Sequence, residues 1–282
     1  MPEKNSTSTR RELLQRAAVG IGAASLMTGD VRGQAQTTQG HVVSARMVRI
    51  DAKPETIAID ISKTAVIVVD MQNDFGSKGG MFDLAGIDIS GIRKAIAPTA
   101  KVLASTRPAG IKIIYLKMGF RPDLSDFGAP DSPNRLKHPP VVGKSTHAPD
   151  GRESRVLIRD TWNTDIVDEL KPQADDLVVY KHRFSGFYQT DLEATLKKLG
   201  IQYLIVVGCT TSVCVESTVR DAMYRDYSCV LLEDCMSQPT PPHGSAGSNH
   251  DASLVLAEAA FAWVSNSGQF VAALQAQQDA SA

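Results

Sequence analysis

A doubly wound α/β domain with a parallel, Rossmann-like sheet is predicted for this 282-residue chain by three observations. Short runs rich in Val and Ile recur along it, amphipathic segments with helical spacing lie between them, and no Pro/Gly/Ser linker divides the pattern in two. Short continuous apolar runs mark strands buried on both faces, and parallel strands need helical crossovers of right hand. A composition of 43% hydrophobic and 22% charged residues fits an ordinary globular protein with a sizeable core.

The elements follow in order. Residues 36–55 are polar and mixed and read as an N-terminal arm. Strands are expected at 65–69 (AVIVV), 111–116 (IKIIYL), 176–180 (DLVVY), 203–207 (YLIVV) and 229–233 (CVLLE). Helices are expected within 91–110, 164–172, 190–200 and 214–227; in the last, Val215, Val219, Ala222 and Met223 share one face. Residues 118–160 and 237–249 are long, polar and proline-rich, the character of a lid or pocket wall.

The N-terminus has a different grammar. Arg10 and Arg11 precede a short apolar stretch from Ala17 to Met27, and small residues, Gly33 and Ala35, follow. This pattern predicts a twin-arginine signal over residues 1–35, a mature domain over 36–282, and a periplasmic or secreted protein. The apolar stretch is too short to span a bilayer, so no stable membrane insertion is expected once the signal is removed. An amphipathic N-terminal helix is the other reading of the same residues. A formal net charge of -1, with no block of five like charges, leaves no electrostatic footprint for nucleic acid or an anionic membrane and favours a small-molecule partner.

The chemistry is expected beyond the carboxyl ends of the strands, where open α/β sheets bind ligands. Asp70 follows the first strand, Lys181 the third, and Gly208 with Cys214 the fourth. Each has a bland reading: Asp70 as a cap, Lys181 as a solvated charge, Cys214 as a buried filler or half of a disulfide. Together they compose a site. A helix start and an ammonium both lower a thiol pKa, and a carboxylate can take the thiol proton and return it to a leaving amine. The small residues between Gly208 and Cys214 allow a tight turn whose N–H groups can face an oxyanion. Cys209, Cys229 and Cys235 complete the four cysteines, without the paired spacing of a zinc site. Pairing of Cys214 with Cys209 or Cys235 in a non-catalytic or redox thiol protein stays open as the rival reading.

Three motifs, TAVIVVDMQNDF, YKHRFSGFYQTDL and GCTTSVCVESTVRDA, together resemble the isochorismatase-like cysteine hydrolases and, within them, the ureidoacrylate amidohydrolase branch. The resemblance runs from about residue 57 to 275. It implies a six-stranded α/β/α sandwich, a triad of Asp70 (proton acceptor and donor), Lys181 (thiolate stabiliser) and Cys214 (nucleophile), and a homo-oligomer. It also implies a cis peptide at Cys209–Thr210 that turns the N–H groups of Thr210 and Cys214 toward the oxyanion. Gln72, Asn73, Asn134, Arg183, Phe184 and Phe187 are expected to line a pocket for a small amide; His182, His243 and His250 are expected to be solvated or satisfied by backbone. The residues after the second strand, YLKMGFRPDL, lack the histidines of the metal-dependent nicotinamidase branch, so no metal and no cofactor are expected. Met118 stands where the ureidoacrylate branch carries an amide. The expected function is cleavage of a C–N bond of a small ureido or carbamoyl compound through a thioester, with biuret or an N-carbamoyl amino acid as alternative substrates.

Overall fold

A computed structural model describes residues 46–239 and 246–280, of which 246–248 as backbone only. The proposed signal at 1–35, its arginine pair and His243 lie outside the described residues. The centre is a six-stranded parallel sheet in the order β10-β9-β8-β3-β4-β7. Its strands are β3 (Thr64–Val69), β4 (Lys112–Met118), β7 (Leu177–Lys181), β8 (Tyr203–Cys209), β9 (Ser228–Ser237) and β10 (Trp263–Ser265).

Alternation in β3 shows why the sheet is layered. Val66 and Val68 face one core with Ile113, Tyr115, Ile205 and Val207; Ala65, Ile67 and Val69 face a second core with Ile114, Leu116, Leu204 and Val206. Every residue of β3 is buried, as a central strand covered on both sides requires. The first core is closed by α3 (Ser90–Thr106) and α8 (Ser267–Asp279), through Ile92, Val102, Phe270 and Leu274. On the second face lie α5 (Leu192–Lys198), α6 (Glu216–Met223) and α7 (Ala246–Leu256), through Leu192, Leu196, Val219, Ala222 and Leu254. Short helices α1 (Asn73–Gly76), α2 (Met81–Leu84) and α4 (Pro133–Lys137) stand beyond the strand ends. Val215, Val219 and Ala222 are buried as their spacing required, while Met223 is only half-buried.

The remaining differences from the sequence reading have local causes. The polar arm contains β1 (Met47–Ile50), paired antiparallel with β2 (Ile57–Asp60); Val48, Ile50, Ile57 and Ile59 alternate inward, a pattern masked by the charged residues between them. The sixth strand, β10, has three residues, below the length at which periodicity can be read. Residues 164–172 form no helix. They carry 3₁₀ turns at Trp162–Thr164 and Asp168–Leu170, because Asn73 N–H and Val167 N–H are bonded across to Asp165 and Met71 carbonyls. The long segment 118–160 is not structureless: it holds α4 and a small hairpin, β5 (Ser145–His147) with β6 (Glu153–Arg155).

Candidate active site

Strand order reverses at β3: the chain proceeds to β4 and β7 on one side, then returns to β8 on the other. The crevice beyond the carboxyl ends of β3 and β8 is therefore the topological switch point. At β3 the chain leaves through Asp70, whose φ of 50° lies in the left-handed region that a short polar side chain tolerates. This turn sends the carboxylate over the end of β4, where Oδ1 accepts the Met118 N–H at 2.9 Å. Lys181 comes from the edge strand β7, in register with Met118. Its four-carbon stem crosses β4, placing Nζ 3.7 Å from Met118 Sδ and 2.7 Å from Asp70 Oδ2. Nζ also donates to the Arg183 carbonyl at 3.4 Å.

On the other side, β8 ends at Gly208 and Cys209. Gly208 has φ +117° and is in register with Val69; a Cβ there would lie 2.0 Å from the Val69 carbonyl oxygen, so only glycine lets β8 approach β3 this closely. The Cys209–Thr210 peptide is cis. A π turn at Thr211–Val215 then leads into α6, and the Thr210 carbonyl accepts N–H bonds from Val213 (3.1 Å) and Val215 (3.2 Å). Gln238, at the end of β9, braces this turn by accepting from Ser212 N–H at 3.0 Å and Ser212 Oγ at 2.7 Å. His250 meets Thr211 Oγ1 at 2.8 Å, so it buttresses the turn rather than facing solvent.

Cys214 on this turn is buried and interacts with both Asp70 and Lys181. The Asp70 and Lys181 side chains are 1% and 0% exposed. Asp70 Oδ2 is engaged by the Lys181 ammonium at 2.7 Å, and the Cys214 thiol is the other side chain that interacts with this carboxylate. Burial pushes the Asp70 carboxyl up against the pull of Lys181. Burial works against the Lys181 ammonium, yet Asp70 and Cys214 together hold it above its ordinary value. The thiol corrects the expectation of a lowered pKa. Burial pushes Cys214 up to about 12, outweighing the Lys181 ammonium, so the resting residue is a neutral thiol.

Cys214, Cys209, Thr210 and Asp70 line a cavity of about 210 Å³, whose remaining wall is largely apolar. Phe75 and Phe82 pack edge to face on one side at 5.0 Å, while Phe184 stacks on His138 at 5.3 Å on the other. Lys181 lies beneath the wall, screened by Met118.

Of the six residues expected to bind substrate, Phe184 reaches this wall and five do not. Gln72 is consumed as a clamp on the end of β4: its Oε1 accepts Met118 N–H at 2.7 Å and its Nε2 donates to the Met118 carbonyl at 2.8 Å. Asn73 donates to the Trp162 carbonyl at 2.8 Å, tying down the 161–167 segment. Asn134 donates to the Phe127 carbonyl at 2.9 Å. The Arg183 guanidinium turns to the carbonyls of Asp126 (2.9 Å) and His182 (2.6 Å), in an outer groove. Phe187 is buried in the second core beside Tyr227. His182 contacts Gln189 at 3.3 Å. The cavity residues that the sequence reading passed over, His138, Phe82 and Met81 among them, sit in loops and short helices where no periodicity announces a pocket.

Buried Asp74 supports this wall. It accepts from Met81 N–H at 2.9 Å, Leu157 N–H at 2.7 Å and Asn163 Nδ2 at 2.5 Å, holding two lining residues by their backbones. Burial pushes its carboxyl from 3.8 up to about 6. Among the described residues no group of three or more His, Cys, Asp or Glu converges as a metal site. All four cysteines are free thiols; Cys209 Sγ donates to the Asp70 carbonyl at 3.2 Å.

A doubly wound sheet with a buried carboxylate, ammonium and thiol gathered at its switch point defines an α/β protein with a candidate reactive site at the strand ends. Comparison with known proteins narrows the class: the Isochorismatase domain matches residues 64–269, and the chain belongs to that family. A ureidoacrylate amidohydrolase from Methylorubrum extorquens is 39% identical over 231 residues, 82% of this chain and 90% of that protein. The crystal structure of a cysteine hydrolase from Pseudomonas syringae is similar with a TM-score of 0.66 and 29% identity, covering 83% of this chain and 100% of its own. An N-carbamoylsarcosine amidase from Thermoplasma acidophilum aligns with a TM-score of 0.52 and 26% identity, over 73% and 96% of the two chains.

Proposed function

We propose that this chain is a cysteine-dependent amidohydrolase that cleaves a C–N bond of a small ureido or carbamoyl compound through a thioester at Cys214. The coarse assignment, a hydrolase of non-peptide C–N bonds, rests on its family and on relatives named as a ureidoacrylate amidohydrolase and an N-carbamoylsarcosine amidase. The finer mechanism rests on one observation: a buried carboxylate paired at 2.7 Å with a buried ammonium, beside a thiol that lines a small cavity.

Because the resting thiol is neutral, its proton must leave as the Cys214 sulfur attacks the carbonyl carbon. Asp70 Oδ2 takes that proton, and its raised affinity for protons makes it a better base than a solvated carboxylate. The Lys181 ammonium stabilises the sulfur as it gains negative character and keeps Asp70 ionised between steps. Charge developing on the carbonyl oxygen is met by the N–H groups of Thr210 and Cys214, the proposed oxyanion donors. Asp70 then returns the proton to the departing nitrogen, the C–N bond breaks, and the acyl or carbamoyl group remains on sulfur. Water attacks this thioester, giving its proton to Asp70, and collapse releases the acid or carbamate while Asp70 reprotonates the sulfur. A cavity of about 210 Å³ with aromatic walls suits a small planar substrate.

Ammonia and acid release from ureidoacrylate, biuret, N-carbamoyl amino acids and nicotinamide, compared between the wild-type protein and Cys214→Ala, tests this function. Turnover that survives in the variant refutes the thioester. The same reading includes export as a homo-oligomer after removal of residues 1–35. Cell fractionation, sequencing of the mature N-terminus and light scattering check it, and a cytoplasmic chain beginning at Met1 would refute the export.

A further inference from the structure

His138 is a cavity residue whose chemistry the mechanism leaves unused. It follows α4 within the long loop, and its ring is held from three sides: stacked on Phe184 at 5.3 Å and met edge-on by Phe120 at 5.5 Å and Phe127 at 5.4 Å. Nδ1 lies 2.6 Å from the Asn134 carbonyl oxygen. A carbonyl only accepts, so Nδ1 carries the hydrogen and donates it there, and Nε2 is left with a bare lone pair. Nε2 has no partner among the described residues, and the ring lines the cavity. Burial, with Lys181 and Arg183 adding to it, holds the imidazole below its ordinary range, which keeps it neutral at neutral pH. The wall also carries Lys137, which can only donate, and Gln238, whose Oε1 is already engaged by Ser212; Phe75, Met81, Phe82, Leu157 and Phe184 offer no side-chain hydrogen-bonding group, so the imidazole adds an acceptor to this side.

We infer that His138 determines specificity, its Nε2 accepting an N–H of the substrate's ureido or carbamoyl group and so selecting substrates that carry a donor beside the scissile carbonyl. This rests on the amidohydrolase reading above. A buried acceptor discriminates because a ligand without the donor strips its water and returns nothing. Substrates with the N–H replaced by a methylated nitrogen are therefore rejected by His138 even where their shape is tolerated.

The test combines His138→Phe, which keeps an aromatic ring among its neighbours but removes the acceptor, with methylated probes. In a Cys214→Ser background, calorimetry measures binding of N-carbamoyl-β-alanine, of its analogue methylated on the inner nitrogen and of its analogue dimethylated on the terminal nitrogen, each of which has lost every N–H of one nitrogen; steady-state kinetics on the Cys214 proteins run in parallel. The expected result is that one of the two analogues binds more weakly than the parent by a factor about 3- to 10-fold larger with His138 present than with Phe, the worth of one neutral hydrogen bond. His138→Phe raises KM by a similar factor with kcat little changed, and His138→Gln, which offers an acceptor again, recovers part of it. Equal methylation penalties in the two proteins overturn the role of His138 and leave the amidohydrolase standing. Equal loss in His138→Phe and His138→Gln with lowered melting temperatures assigns the ring to packing and also overturns it. Absence of both binding and turnover of the parent compound overturns the substrate reading and this inference together.

Discussion

Lys181→Met would separate the charge of the Asp70–Lys181 pair from its packing, since methionine keeps most of the stem that crosses Met118. At 2.7 Å the two charges attract with a gross energy of about 6 kcal/mol at an effective dielectric of about 20. Much of that only offsets the loss of water around both groups. Removing the ammonium alone leaves Asp70 as an uncompensated buried charge, a loss of about 3 to 5 kcal/mol in stability. For a domain of this size that lowers the melting temperature by roughly 10 °C. Asp70→Asn/Lys181→Met should recover most of the loss, because neither charge then remains. The sign with pH is set by the carboxyl: without Lys181 its pKa in the native state rises further, so the penalty shrinks as pH falls and Asp70 takes a proton. Urea unfolding of the wild type and the variants at pH 7 and pH 5 reads all of this. A single variant within about 1 kcal/mol of the wild type, or a double variant no more stable than Lys181→Met, would refute the account of the pair as a buried, mutually dependent ion couple.

Other consequences are equally direct. Cys214→Ala should abolish turnover while leaving the unfolding midpoint within about 1 kcal/mol, since it removes one small buried atom; comparable losses of both would instead make Cys214 structural. Gly208→Ala places a Cβ 2.0 Å from the Val69 carbonyl at φ +117° and should cost more than about 4 kcal/mol, seen as loss of soluble, cooperatively unfolding protein. Asp74 binds its proton more tightly in the native state, so wild-type stability relative to Asp74→Asn should fall by about 2 kcal/mol between pH 4.5 and pH 7; a flat or rising difference contradicts the burial argument. The acid limb of the rate–pH profile should have its midpoint above the ordinary carboxylate range, because Asp70 must be ionised and burial raises it; a limb at or below that range would exclude Asp70 as the base.

The strands of the main sheet show how far local pattern reaches. Five were legible because both-faces-buried strands are continuous Val/Ile runs, and their order with helices between implied the doubly wound class. Asp70, Lys181 and Cys214 were legible for a related reason: each follows such a run, and strand ends in a parallel sheet share one edge. Beyond those anchors sequence ran out. Gln72 and Asn73 look like substrate amides on paper, yet their hydrogen bonds are spent on Met118 and Trp162, partners 46 and 89 residues away. Nothing in the sequence singled out His138; its place in the cavity wall depends on Phe120, Phe127 and Phe184 meeting around one ring. Even the protonation of Cys214 reversed, since ammonium and helix start are visible in sequence while burial is not. What the amino-acid order determined by itself was periodicity and the residue at each strand end, both local properties of the chain. Which polar groups are already satisfied, and how deeply each charge is desolvated, depend on contacts between distant segments, and only the tertiary structure decided them.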